Sequence, residues 1–221
     1  MLFRSSRTAN ALAHALQYAT ELGRPQAALS LSDAVNLLDE TLGPNHPHTL
    51  TSRNNLANAY RSAGKLKQAI DLHKRTLADR ERVLETNHPD ILASRNNLAS
   101  TYESAGRLDE AIDLYKRNLT EAMRVLGPDH PDTLASRGNL ANAYRSAGKL
   151  KQAIPLFERT LVDSERVLGP DHLHTLASRN NLAYAYKSAG RLDAAVDLYK
   201  QNLTEAKPGR SEERRVGKEC R

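Results

Sequence analysis

A period of 42 residues constrains this chain more than any other feature. Tyr60, Tyr102, Tyr144 and Tyr186 step by 42, as do Gly64, Gly106, Gly148 and Gly190, and Ala69, Ala111, Ala153 and Ala195. No insertion or deletion interrupts the phase, and each glycine closes a Ser-Ala-Gly turn. A repeat of this length is one supersecondary unit that can bury its apolar face only against its neighbours. The 221 residues therefore predict one continuous stacked core, with no separate catalytic domain.

Within a unit the pattern specifies two helices. The segment Gly43-Pro-Asn-His-Pro-His-Thr49 is turn chemistry, with Pro47 near a helix start where its missing N–H costs nothing. Acidic or Asn residues in these linkers are expected to cap the helix that follows. Helix A is predicted over 50–63, with Leu50, Leu56, Ala57 and Tyr60 on one buried stripe. Gly64 ends it, because glycine can adopt the left-handed conformation that turns the chain. Helix B is predicted over 66–83, with Ala69, Ile70, Leu72, His73, Leu77 and Val83 on its apolar face. Tyr115, Phe157 and Tyr199 stand where the first unit has His73, so that site takes a flat ring. Pro155 replaces Asp71, Asp113 and Asp197 of the other units and is placed near the first turn of helix B, where it should be tolerated.

Composition supports small-residue helix packing. Tryptophan is absent, Phe occurs twice, and no apolar run is long enough for a membrane span or a signal peptide, so a soluble cytoplasmic protein is expected. Residues 210–221 break the repeat at once and resemble a translated sequencing-library adapter. Set aside as non-native and disordered, this tail takes the only cysteine, Cys220, with it and lowers the net charge from +6 to +4. On this reading the chain is a fragment of a longer protein.

The recurring Asn-Asn-Leu-Ala-x-x-Tyr-x-Ser-Ala-Gly-Lys/Arg-Leu-x-x-Ala, with a Gly-Pro-Asp-His-Pro-x-Thr linker, resembles the tetratricopeptide repeat in its 42-residue, kinesin light chain form. The match runs from Leu42 to about Ala206, and its Arg- and Ala-rich character is similar to bacterial members of that family. The resemblance implies an all-α, right-handed superhelical solenoid of antiparallel helix pairs. Its repeats would be 42–83, 84–125, 126–167 and 168–209, after a degenerate repeat or capping helices at 1–41. In that first segment, residues 11–18 would supply helix A, Gly23 the turn and residues 27–38 helix B.

In the family this chain resembles, helix A lines a concave groove that holds extended peptides. The positions carried over are Asn54, Asn96, Gly138 and Asn180; Asn55, Asn97, Asn139 and Asn181; and Asn58, Ser100, Asn142 and Tyr184. Such a ladder of carboxamides can pair with the backbone of an extended peptide, or bridge adjacent repeats instead. Gly138 departs from its series and marks a pocket or a weak point in the third repeat. Arg53, Arg95, Arg137 and Arg179 form a second ladder, suited to carboxylate or phosphate binding or to pairing with acidic residues of the preceding helix B.

Other functions fit poorly. His46, His88, His130 and His172 occur once per unit, and stacked helices space equivalents by roughly 8–10 Å, too far for a shared metal shell. No phosphate loop, nucleophile elbow or zinc-protease motif is present. The charge excess is small and interleaved with acids, without a stacking surface for nucleic acid. The expectation is a non-catalytic scaffold for a protein or peptide partner, with no cofactor, metal, small-molecule substrate, nucleic acid or membrane. The alternative is the sensor arm of a larger signalling nucleotide-switch ATPase.

Overall fold

The computed structural model describes residues 6–86 and 88–205, all helix and turn, and among them no strand occurs. The adapter-like segment 210–221 lies outside these residues. Eleven helices follow in order among the described residues: α1 (Ser6–Glu21), α2 (Pro25–Leu29), α3 (Ser32–Leu42), α4 (Pro47–Ser62), α5 (Leu66–Val83), α6 (Pro89–Ser104), α7 (Leu108–Leu126), α8 (Pro131–Ser146), α9 (Leu150–Leu168), α10 (Leu173–Ser188) and α11 (Leu192–Glu205). None is long and apolar enough to cross a membrane. The chain divides into two compact units, Met1–Leu114 and Tyr115–Arg221.

In the first unit α4 packs on α1, α3 and α5, and α5 packs on α6; in the second, α9 lies against α8 and α10, and α10 against α11. Each hairpin turns on the expected glycine. At the end of α4, Lys65 N–H donates to the Tyr60 carbonyl (2.8 Å) and Gly64 N–H to that of Arg61 (3.0 Å), with Gly64 at φ +74°. This pair of hydrogen bonds satisfies carbonyls the helix end leaves open, and only glycine holds the left-handed angle without strain.

The helix starts differ from the sequence expectation. Helix A begins at the linker proline, or at Leu173 in the last case, three residues before Leu50 in the first repeat. Its cap is the linker histidine rather than an acid or Asn. The Nδ1 atoms of His46, His88, His130 and His172 accept the backbone N–H two residues on, at 3.3, 3.1, 3.2 and 3.1 Å. A lone pair on the imidazole thus replaces the usual carboxylate or hydroxyl oxygen and satisfies one of the orphan donors of the first turn.

The predicted stripes are largely buried. Leu50, Leu56, Ala57, Ala69, Ile70, His73 and Leu77 are inside, and Leu72 and Tyr60 are half-buried. Val83 is the exception, exposed at the last turn of α5. In the second unit Ala141, Ala153, Phe157, Leu161, Leu182 and Ala185 form one core cluster. Pro155 is the sixth residue of α9, past the first turn, so the Lys151 carbonyl loses its helical donor. Both residues face solvent, where water serves that carbonyl, and the helix runs on unbroken.

The N-terminal segment departs more. Its helix A is longer than expected, Ser6–Glu21, and helix B is split into α2 and α3 at Ser30 and Leu31. Ser30 Oγ donates to the Ala27 carbonyl at 2.7 Å, the local competition by which serine weakens a helix interior. The segment still supplies core, since Leu12, Leu16, Val35 and Leu38 cluster with Leu56 and Ala59 of α4.

Candidate functional site

The arginine ladder is consumed within the stack. Arg53 is 3% exposed and reaches Asp39 of α3 (2.6 Å) and Asp79 of α5 (2.7 Å). Arg95 pairs with Glu81 (2.9 Å), Arg137 with Asp163 (2.6 Å), and Arg179 with Glu165 (2.5 Å). Arg179 also donates to Asn202 Oδ1 at 2.9 Å. Burial alone would raise the Asp163 carboxyl, but hydrogen bonds from Arg159, Arg137 and Arg166 outweigh it and hold the group below the usual carboxylate range. These pairs stitch one helix to the next and engage all four guanidiniums of the ladder, with both partners buried at Arg137–Asp163.

The carboxamides lie one layer out, on α4, α6, α8 and α10. Asn54, Asn55, Asn58, Asn96, Asn97, Asn139, Asn142 and Asn181 are half-exposed; Asn180 and Tyr184 are exposed. Several already bridge helices. Asn55 Nδ2 donates to the Ala13 carbonyl of α1 at 3.0 Å, and Asn97 Nδ2 donates to Asn54 Oδ1 at 3.1 Å. Asn96 and Asn139 also have interaction partners. Asn180 accepts from Asn202 Nδ2 (2.7 Å), and the same nitrogen reaches the Leu176 carbonyl (2.9 Å). The expected ladder is therefore partly a set of inter-helix ties.

In the second unit the pattern opens. Gly138 of α8 occupies the position of Asn54, and Asn181 of α10 that of Asn97. With no side chain at 138, the tie made by Asn97 to Asn54 has no counterpart, and Asn181 makes no side-chain hydrogen bond among the described residues. A cavity of about 240 Å³ lies there, lined by Gly138, Asn139 and Asn142 of α8, Ser164 of α9, and Ser178 and Asn181 of α10. Asn142 Oδ1 is buried with no donor. One turn farther along the two helices, the Arg145 guanidinium sits over the Tyr184 ring, 4.6 Å from its centroid, while the ring itself is 51% exposed. The structure thus brings Asn139, Asn142 and Asn181 to one cavity, with Tyr184 one turn on. Asn54, Asn55, Asn58, Asn96 and Asn97 belong to the other unit.

Two contributors escaped the sequence reading. Asn202 ties α11 to α10 through three bonds. A signal existed, because that position alternates Thr76, Asn118, Thr160, Asn202 down the repeats. Arg145 stacks on Tyr184, and the signal was the replacement of Asn and Ser by an aromatic at 184 alone.

Tetratricopeptide repeat models match residues 49–90, 90–162 and 147–204. Among solved structures, a Podosopora anserina protein of nearly identical TPR-like repeats, described as a kinesin light chain, is 30% identical with a TM-score of 0.81, covering 94% of this chain and 100% of its own. BtubC (BKLC) from P. vanneervenii is 20% identical with a TM-score of 0.66, covering 90% and 76%. MamA is 19% identical with a TM-score of 0.57, covering 91% and 96%. At those identities the last two share the fold alone. No curated protein matches the chain by sequence.

Proposed function

Because the chain belongs to the tetratricopeptide repeat family, we propose that it is a cytoplasmic, non-catalytic scaffold whose repeats at 42–83, 84–125, 126–167 and 168–209 hold an extended segment of a partner protein. In each unit the face that does so is the one carrying the carboxamides, on α4 and α6 in the first and on α8 and α10 in the second. The observation that supports it is a division of labour on those helices. The arginines beneath are neutralised by acids of neighbouring helices, whereas the amides above stay half-exposed. Neutral groups that both donate and accept suit the main chain of an extended segment, which offers alternating carbonyls and N–H groups. An exposed, arginine-stacked Tyr184 adds the rigid aromatic contact that dominates many interfaces.

Panning a random-peptide display library on the immobilised chain tests this. Selected peptides should bind Asn58→Arg and Asn142→Arg variants at least about tenfold more weakly, ~1.4 kcal/mol, and exposed helix-B variants Lys67→Glu and Lys151→Glu within about twofold. Circular dichroism checks that all four fold. Peptides that ignore the first pair and are lost by the second would place binding on the opposite face and refute the reading.

A further inference from the structure

We propose that the cavity at Gly138 is a specificity pocket for an uncharged carboxamide, the side chain of an Asn or Gln in the bound segment. The inference rests on the scaffold reading above and adds what that scaffold selects.

The argument begins with a missing partner. In the first unit the amide at position 97 is satisfied by the amide at position 54, 43 residues earlier, at 3.1 Å. The same spacing in the second unit leads from Asn181 to Gly138, which has no side chain to offer. Space replaces the carboxamide. A Cβ built on Gly138 would meet nothing within 4 Å, and the residue sits in ordinary helical backbone, so no steric or conformational demand requires glycine here. Glycine inside a helix costs stability relative to other residues. What it yields is the opening.

The walls define what fits. Leu134, Leu168 and Ala177 supply an apolar surface, and the polar lining is Asn, Ser, Thr and one His, with no carboxylate, lysine or arginine. An ionised side chain entering would lose water and find no counter-charge, a cost that excludes Lys, Arg, Asp and Glu. A purely apolar side chain would leave Asn181 unpaired and Asn142 Oδ1 still without a donor. A carboxamide answers both. Its oxygen accepts from Asn181 Nδ2, as Asn54 accepts from Asn97, and its NH2 group supplies the donor that Asn142 Oδ1 lacks once a rotamer change turns that enclosed amide toward the cavity. The incoming group thus restores the kind of pair that Asn97 makes with Asn54 in the first unit.

The test pans one random-peptide display library on the wild-type chain, on Gly138→Asn and on Asn181→Ala. Gly138→Asn rebuilds the internal pair and closes the pocket, and its open surroundings let it fold. Asn181→Ala removes the amide without filling the space. Wild-type selections should share an Asn or Gln at one position, and changing that residue to Leu or Glu should weaken binding about tenfold to the wild-type chain but less than about twofold to either variant. Selected peptides with no amide preference, or one that survives in Gly138→Asn, would overturn the pocket while leaving the scaffold intact. Failure of the wild-type chain to select any peptide would overturn the scaffold reading and the pocket together.

Discussion

The hairpin α4–α5 and the hairpin α8–α9 lie in repeats that share 33 of 42 residues, yet they solve burial differently. In the first, His73 is 1% exposed with both ring nitrogens unpartnered, between α5 neighbours that include the buried Arg80. In the second the same site is Phe157, equally buried, and position 80 has become Ser164. The first hairpin carries its polar liability inside and closes its surface with the Asn54–Asn97 tie. The second fills that site with an aromatic ring and has an open surface at Gly138. Near-identical repeats can therefore share a fold while a few substitutions move polar groups between core and cleft.

The largest difference should appear at the equivalent aspartates Asp79 and Asp163. Arg53 has two acids, Asp39 and Asp79, because helix α3 supplies one. The matching place before Arg137 is Met123, and Asp163 is the acid it pairs with. Asp163→Ala would strand a buried guanidinium and should cost about 3–5 kcal/mol in urea denaturation. Asp79→Ala leaves Arg53 with Asp39 and should cost about 1.5–3 kcal/mol. Equal losses would show that the second acid contributes nothing. Since the Asp163 carboxyl is held low, its contribution is present above the ordinary carboxylate pKa and is lost as pH falls through the lowered folded value.

The ring site sharpens the comparison through pH. Burial, then Arg61 and Arg80, pull the His73 pKa from 6.5 down to about 4. The unfolded chain takes a proton near 6.5 and the folded chain does not until about 4, so stability is intact above 6.5 and declines as pH falls. The slope approaches ~1.4 kcal/mol per pH unit, about 3 kcal/mol in all. His73→Phe, copying the second hairpin, should remove this decline and raise stability at neutral pH by about 1–3 kcal/mol, because two orphaned nitrogens disappear. Denaturation of both proteins across pH 4–8 checks it; parallel curves would sink the assignment.

The period, the Ser-Ala-Gly turns and the apolar stripes were legible because each rests on local rules, helical spacing and a left-handed glycine, that no distant contact overrides. The caps were misassigned because linker acids and Asn are stronger cap formers than histidine by propensity, and only the extended backbone at the histidine, before proline and before Leu173 alike, brings Nδ1 to the N–H two residues on. The split at Ser30 and Leu31 was hidden because the alanine and leucine spacing of 27–38 reads as one helix, while a serine bonding back to its own turn weakens it locally. The amide ladder was legible as a set of positions but not as a set of bonds. An Asn side chain pairs with a neighbouring helix or with a guest using the same atoms, and only packing decides which. Gly138 was visible as a departure, and the cavity follows from it; that Asn181 thereby lost a partner required knowing that Asn97 had one.

The smallest effect isolates that tie. Exchanging the two residues, Asn54→Gly in the first hairpin and Gly138→Asn in the second, should move stability in opposite directions. Asn54→Gly loses the bond to Asn97 and adds helix-interior glycine, for about 1–2 kcal/mol together. Gly138→Asn gains about 0.3 kcal/mol of helix propensity and up to about 1 kcal/mol from pairing with Asn181. Hydrogen exchange of the Asn97 and Asn181 side-chain amides reads the bond separately from the backbone term. In Asn54→Gly the Asn97 amide should exchange faster, and in Gly138→Asn the Asn181 amide more slowly. If stability shifts while both amides exchange unchanged, helix propensity alone distinguishes the repeats, and the cleft at Gly138 is not the residue of a broken pair.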